Sequence, residues 1–247
     1  PRAGARALEA PLRRRASAPT RPAVTSAASA ARAPSGASVA GQNEAATAAA
    51  RPEMGPEECF AVYEAAHGHR PLTKGQVLDL LDGRGVAYER CDHAAVRTVG
   101  EAEAARIPFE RHMAKNLFLR DPKKRNYYLF TAPDQKKIDL RVLQERLGSR
   151  RLSFASPEDL AQKLGVWPGS VTPFAALNED THTVRVAMDA DFAAMGWIGC
   201  HPCDNTASVH LRTSDLLTLL ADAGVDVELL EVWAPPPAGP AGPAQVG

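Results

Sequence analysis

The sequence predicts a mixed α+β fold, and three observations lead there. From about residue 71, short apolar strand runs and amphipathic helical runs interleave without a strict strand–helix–strand rhythm, which argues against a doubly wound parallel sheet. Residues 115–120 and 127–131 are apolar runs on either side of the charged turn Asp121-Pro122-Lys123-Lys124-Arg125-Asn126, the pattern of a β-hairpin. Residues 1–51 and 234–247 consist largely of Ala, Pro, Ser, Thr and Gly and can bury too little to offset the entropy of ordering. The expected organisation is therefore a disordered leader and linker over 1–70, one folded domain over 71–233 and a disordered tail over 234–247.

Within the domain each element has a local reason. Thr73 followed by Gln76 is a capping box that opens a helix through Leu81, and Gly83 and Gly85 end it. Residues 86–90 alternate like a strand, and 99–106 suit a second helix. After the hairpin, Leu140, Leu143 and Leu147 give helical spacing to 139–147, and 151–155 reads as a short strand. Ser156-Pro157 starts the next helix with Ser at the N-cap and Pro at the first position. Residues 165–174 form a loop. Strands follow over 183–188, 197–200 and 207–211, then a helix capped by Thr213 or Ser214 and running to about Ala223, and a closing strand over 227–232.

The 247 residues carry 29 Lys+Arg and 29 Asp+Glu, a formal charge of zero. The zero is a sum of unequal parts. Residues 1–51 hold eight Arg against two Glu, and residues 111–151 hold twelve Lys/Arg against four acids, so these segments carry +6 and +8 and the remainder −14. A local basic region can attract phosphates in a neutral protein, because charge interactions are short-ranged at physiological salt. The Arg- and Ser-rich, acid-poor leader has the composition of a mitochondrial or plastid transit peptide; otherwise cytoplasm is expected. A chain that starts at Pro1 is expected to be preceded by further residues. No apolar stretch reaches the ~18 residues of a membrane-spanning helix, and four scattered Cys do not make a disulfide scaffold.

Three constellations could carry chemistry. In Lys115-Asn116-Leu117-Phe118-Leu119-Arg120 an ammonium and an amide stand at the start of a strand, suited to phosphate or carboxyl oxygens, although a surface Lys before a strand reads the same way. In Gly165 to Phe174, Gly169 allows close backbone approach, Pro173 fixes the exit, and Ser170 and Thr172 offer hydroxyls; a structural turn is the plain alternative. The third is Cys200-His201-Pro202-Cys203-Asp204-Asn205-Thr206. Its CxxC lacks a second ligand pair for zinc, and His201 beside Asn205 and Thr206 is the better candidate for ligand contact. G-x-S-x-G, HExxH and GxGxxG are all missing.

Taken in order, Lys115 to Asp121, Tyr127-Tyr128-Leu129, Leu152 to Ser156, Gly169-Ser170-Val171-Thr172-Pro173-Phe174, and His201-Pro202 with Asn205-Thr206-Ala207 resemble the YbaK/prolyl-tRNA synthetase-associated editing domain. The likeness spans roughly residues 72–232 and is nearest to the free-standing alanyl-tRNA(Pro) deacylases. It implies a mixed-sheet fold and hydrolysis of the ester joining a wrong amino acid to the tRNA 3′ end, without metal, cofactor or covalent nucleophile. It also implies that Lys115 and Asn116 hold the terminal adenosine and its phosphate, and that the loop Gly169–Pro173, with Phe174 beside it, faces the aminoacyl group. His201, with Pro202, Asn205 and Thr206, would line a pocket that admits alanine, while a ribose hydroxyl and a water do the chemistry.

On that reading Arg120, Lys123, Lys124, Arg125, Lys136 and Lys137 meet acceptor-stem phosphates. The expected partners are mischarged tRNA and prolyl-tRNA synthetase, not a membrane or DNA. The family usually has Asn or an aliphatic residue after His-Pro, where this chain has Cys203-Asp204. A Cys-tRNA(Pro) deacylase and a non-catalytic tRNA- or synthetase-binding module of the same fold are the alternatives.

Overall fold

The computed structural model describes residues 54–95, 107–109, 111–181 and 183–232. The leader before residue 54, the helix expected over 99–106 and the tail lie outside the described residues. The elements are α1 (Pro56–His67), α2 (Lys74–Gly83), β1 (Tyr88–Asp92), β2 (Ala114–Arg120), β3 (Tyr127–Pro133), α3 (Leu140–Arg146), β4 (Ser153–Phe154) and α4 (Pro157–Leu164). A 3₁₀ helix (Pro173–Asn178) follows, then β5 (Val184–Asp189), α5 (Asp191–Met195), β6 (Trp197–Cys200), β7 (Ala207–Arg212), α6 (Thr213–Asp222) and β8 (Val227–Leu230). No helix among the described residues is long and apolar enough to cross a membrane.

The α+β expectation holds. A five-stranded mixed sheet runs β4-β2-β3-β5-β8, with antiparallel β4–β2 and β2–β3 pairs and parallel β3–β5 and β5–β8 pairs. A three-stranded antiparallel sheet, β1-β7-β6, meets it through the bridge Met113–Gly199. At that junction a Cβ on Gly199 would stand 2.8 Å from Met113 Sδ, so a larger residue there would push the Met113 side chain aside.

The pleat of β2 and β3 sorts two cores. Phe118, Tyr127 and Leu129 face one side and join Val77 and Leu81 of α2, Leu160 and Leu164 of α4, Ile198, Val209 and Leu216. Leu119, Tyr128, Phe130 and Ala132 face the other side and pack on Leu143 and Leu147 of α3. Each such large side chain removed from water contributes about 1.5–3 kcal/mol, which is why β3, buried along six of its seven residues, anchors both layers.

The local signals at Thr73 and Ser156 form as expected: both residues close reciprocal capping boxes, with Gln76 and Asp159. The hairpin forms in register, Lys115 opposite Ala132 and Asn116 opposite Thr131. Asp121 closes its turn by accepting from the Lys123 and Arg125 N–H groups at 3.0 and 2.9 Å.

Three expectations need correction, and one further helix was not anticipated. Residues 53–70 were expected to be linker, yet α1 occupies Pro56–His67, with Pro at its start, Glu57 and Glu58 in the first turn and a left-handed Gly68 at its end. It buries Cys59 and Tyr63, and this packing against α4 and Trp167 is what makes a weakly patterned segment helical. The final helix is not capped by Thr213 or Ser214: Arg212 is the N-cap, and the Thr213 hydroxyl instead donates to the Phe192 carbonyl at 2.9 Å. The loop ends at Thr172, because Pro173 opens the 3₁₀ helix. Finally, α5 fills the short gap between β5 and β6, where periodicity has too few residues to register.

Candidate functional site

Lys115 and Asn116 lie at the start of β2 and, as strand neighbours, turn to opposite faces. Asn116 faces the first core. Its Nδ2 donates to the Val171 carbonyl at 2.9 Å, and its Oδ1 accepts from the Thr131 hydroxyl at 2.8 Å. Lys115 Nζ donates to the Asp134 carbonyl at 2.8 Å and to the Lys136 carbonyl, tying down the turn after β3. Burial lowers its pKa, partly opposed by Asp134.

The loop brought to Asn116 is shaped by its own residues. Gly169 has φ +91°, a backbone conformation that a side chain would strain. Ser170 is fully buried; its Oγ accepts from the Trp167 N–H and donates to the Trp167 carbonyl, both at 2.9 Å. The expectation that Ser170 presents a hydroxyl to a ligand is thereby corrected, because a turn takes both bonding directions. Thr172 is likewise buried, and its hydroxyl donates to the His201 carbonyl at 2.5 Å. Pro173 is buried and Phe174 is a core residue with no exposed surface, so Phe174 shapes the loop from beneath.

His201 follows β6. Its Nδ1 lies 2.9 Å from the Ala207 carbonyl, so that nitrogen carries the proton and Nε2 keeps the lone pair of the neutral ring. Burial lowers its pKa against the raising effect of that bond, and His93 lowers it further. Around it stand two residues the sequence reading missed. His93 Nε2 lies 3.0 Å from Ser208 Oγ, and the His93 and His201 rings are 5.9 Å apart. His93 Nδ1 is 2.8 Å from the Ala94 carbonyl, which makes Nε2 the acceptor of the Ser208 hydroxyl proton. No short-range signal marks this trio; it arises from β1–β7 pairing, with Asp92 opposite Ala207.

Pro202 and Asn205 are buried beside His201, and Thr206 is held from two sides. Its hydroxyl donates to Asp204 Oδ1 at 2.5 Å and accepts from Lys74 Nζ at 2.7 Å. Lys74, the first residue of α2, is a further member of the site that its sequence context does not reveal. Cys200 and Cys203 are buried in the first core as free thiols. Burial pushes the Cys200 thiol up to about 12 and Cys203 higher still, so neither is a thiolate at neutral pH.

The basic residues do not share one face. β2 separates Lys115 from the hairpin turn by about 17 Å, at ~3.3 Å per residue, so Arg120, Lys123, Lys124 and Arg125 sit at the far end of the strand pair. Lys123, Lys124 and Arg125 are exposed, Lys124 with φ +52°, whereas Arg120 and Lys124 each stand 3.6 Å from Asp159. Lys136 is committed to the fold, 2.8 Å from both the buried Asp189 and Asp191. Lys137 is exposed. A cavity of ≈ 330 Å³, lined by Glu179, Arg185 and Asp226 among others, includes none of the expected site residues.

Residues 93–219, which hold Asn116, the 169–173 loop and His201, match the family of the aminoacyl-tRNA editing domain. The chain belongs to this family. Its similarity to the prolyl-tRNA editing protein ProX of Acetoanaerobium sticklandii is 37% identity over 65% of this chain and 98% of that protein. The prolyl-tRNA synthetase associated domain-containing protein 1 of Bos taurus is 34% identical over 61% of this chain and 90% of its own length. Among solved structures, one described as epitope backbone grafting by computational design onto scaffold proteins superposes with a TM-score of 0.50 at 21% identity, covering 65% of this chain and 98% of the other. The editing domain of this chain thus carries His93 at the first matched residue and Lys74 and α1 ahead of the match.

Proposed function

We propose that the chain is a trans-editing aminoacyl-tRNA deacylase that hydrolyses the ester of mischarged tRNA(Pro), alanyl-tRNA(Pro) foremost. The observation that carries this reading is the convergence of Asn116, the Val171–Thr172 backbone and His201 within a domain of the editing family. The relative named as a prolyl-tRNA editing protein supports the choice of tRNA(Pro).

Asn116 fixes the Val171 carbonyl, and Thr172 fixes the His201 carbonyl, so the loop and the His201 segment form one rigid wall. Against this wall the aminoacyl group would be held by backbone, with a small side chain admitted and a larger one excluded. The neutral His201 ring offers Nε2 as a hydrogen-bond acceptor for the substrate amine or a water. The nearby hydroxyl of Ser170 and the thiols of Cys200 and Cys203 are committed or protonated, which favours positioning over covalent catalysis. Water adds to the ester carbonyl carbon, the bond to the ribose oxygen breaks, that oxygen takes the proton, and amino acid and tRNA part. Proximity and orientation alone can supply a large share of such a rate. In this reading Lys123, Arg125 and Lys137 attract the acceptor stem, while Lys136 serves the fold.

A single-turnover assay with Ala-, Cys- and Pro-tRNA(Pro) tests the proposal. The expected result is fast loss of Ala, slower loss of Cys and retention of Pro. Retention of all three with tRNA still bound would establish the binding-module alternative, which Lys115 favours by committing its ammonium to two backbone carbonyls.

A further inference from the structure

We propose that His67 Nδ1, His69 Nε2 and the Asp180 carboxylate form a site for one divalent transition-metal ion of the zinc type, stapling the end of α1 to the segment after the 3₁₀ helix. The three candidate donor atoms lie within 4.8 Å of one another. His67 Nδ1 is 2.9 Å from Asp180 Oδ1, and His69 Nε2 is 3.5 Å from Asp180 Oδ2. A tetrahedral zinc about 2.1 Å from nitrogen and oxygen ligands separates them by about 3.4 Å. Each ring nitrogen is already near that spacing from one oxygen of Asp180, His67 from Oδ1 and His69 from Oδ2, and the last gap is to a shared oxygen and between the two nitrogens. It closes by rotation of the half-exposed His69 and Asp180 side chains, 55% and 51% exposed.

The second observation is the opposite edge of each ring. His67 Nε2 lies 2.8 Å from the Gln162 carbonyl, and His69 Nδ1 lies 3.1 Å from the Arg70 carbonyl. When each ring is neutral with its N–H on that carbonyl, the nitrogen facing Asp180 carries the lone pair that a metal needs. Metal-ligating histidines are oriented in this way, the outer N–H held by a carbonyl or carboxylate. The alternative, two imidazolium rings sharing one carboxylate, sets two like charges side by side.

The rings are also held from behind. His67 stacks on Tyr63 at 4.1 Å between centroids, and His69 meets Tyr63 edge-on at 5.5 Å. Tyr63 is itself anchored by donating to the Asn178 carbonyl, two residues before Asp180. His67 and His69 precede the stretch that matches the editing family and Asp180 falls inside it, so the ion would join α1 to the family domain. The site does not depend on the deacylase reading, because it shares no residue with the Asn116–His201 wall.

The test uses the full chain, freed of metal with a chelator and titrated with zinc sulfate in a calorimeter. The expected result is one ion per chain, with affinity falling by more than about tenfold in both His69→Ala and Asp180→Asn. Excess zinc should raise Tm by roughly 5–10 °C in the unaltered chain and not in either variant. Both variants are at exposed side chains, and their circular dichroism without metal should match the unaltered chain. No uptake, or uptake that both variants retain at full affinity, overturns the proposal.

Discussion

Lys115 and Asn116 are adjacent in the chain and serve opposite faces of the five-stranded sheet: Asn116 holds the Val171 carbonyl at 2.9 Å, and Lys115 holds the Asp134 carbonyl at 2.8 Å. One β-strand start therefore organises two loops at once. Asn116 acts on the wall that carries His201, and Lys115 acts on the turn that carries Lys136.

Replacing Asn116 by Ala frees the Val171 carbonyl and the Thr131 hydroxyl. We expect about 1–3 kcal/mol lower stability by urea unfolding and at least about tenfold slower single-turnover deacylation. A folded variant of unchanged rate would remove Asn116 from the site.

Lys115→Ala should also lower stability, by about 1–3 kcal/mol, because two backbone carbonyls lose their donor. Its deacylation should fall as well. Lys115→Met, which keeps most of the stem and lacks the charge, should be equally slow if the ammonium is what matters.

Ser170→Ala separates a structural hydroxyl from a nucleophile. The Oγ makes two bonds to Trp167, so the loss should appear as about 1–2 kcal/mol of stability. At a temperature where the variant is folded, its single-turnover rate should stay within about threefold of the unaltered chain's, whereas a covalent nucleophile would lose several orders of magnitude.

Acid should destabilise the protein through His201. Its folded pKa lies below the ordinary value of 6.5, so below that pH the unfolded chain binds the proton first. The stability it contributes is full above about pH 6.5 and is lost as pH falls through the folded pKa. His112, lowered first by burial and then by His210, acts in the same direction, so the readout is the difference between the unaltered chain and His201→Gln. Urea unfolding at about pH 7.5 and about pH 5 should show a smaller acid loss in the variant.

The basic residues divide by experiment as they do in space. Ala at Lys123 and Arg125 should each reduce the salt slope of tRNA binding by roughly 0.7–0.9 and leave Tm unchanged. Lys136→Ala leaves the fully buried Asp189 without its cation, and thermal or urea unfolding should show a loss of about 3 kcal/mol.

The fold was largely legible because its signals are local. The boxes at Thr73 and Ser156, the turn closed by Asp121 and the apolar strand run over 183–188 all act within a few residues. Helix α1 escaped notice although Pro56, Glu57, Glu58 and Gly68 marked its ends, because its apolar face is narrow and its stability comes from Trp167 and Ala161, a hundred residues on. In the site, Asn116 stood out beside Lys115 at a strand start and His201 beside the polar Asn205 and Thr206, and the likeness to the editing family gave both their roles. His93, Ser208, Thr131 and Lys74 did not, since each gains its place only through a strand register or a helix start.

By itself, then, the sequence determined the α+β class, the hairpin, the capped helices and the order of motifs that marks the editing family. Tertiary structure decided which polar groups are available. It turned Ser170 and Thr172 inward, engaged Lys136 with Asp189, protonated the CxxC thiols by burial, and divided one run of positive charge between two ends of a strand pair. The physical reason is that capping and periodicity act over a few residues along the chain. The bonding state of a buried polar group depends on which distant backbone folds against it.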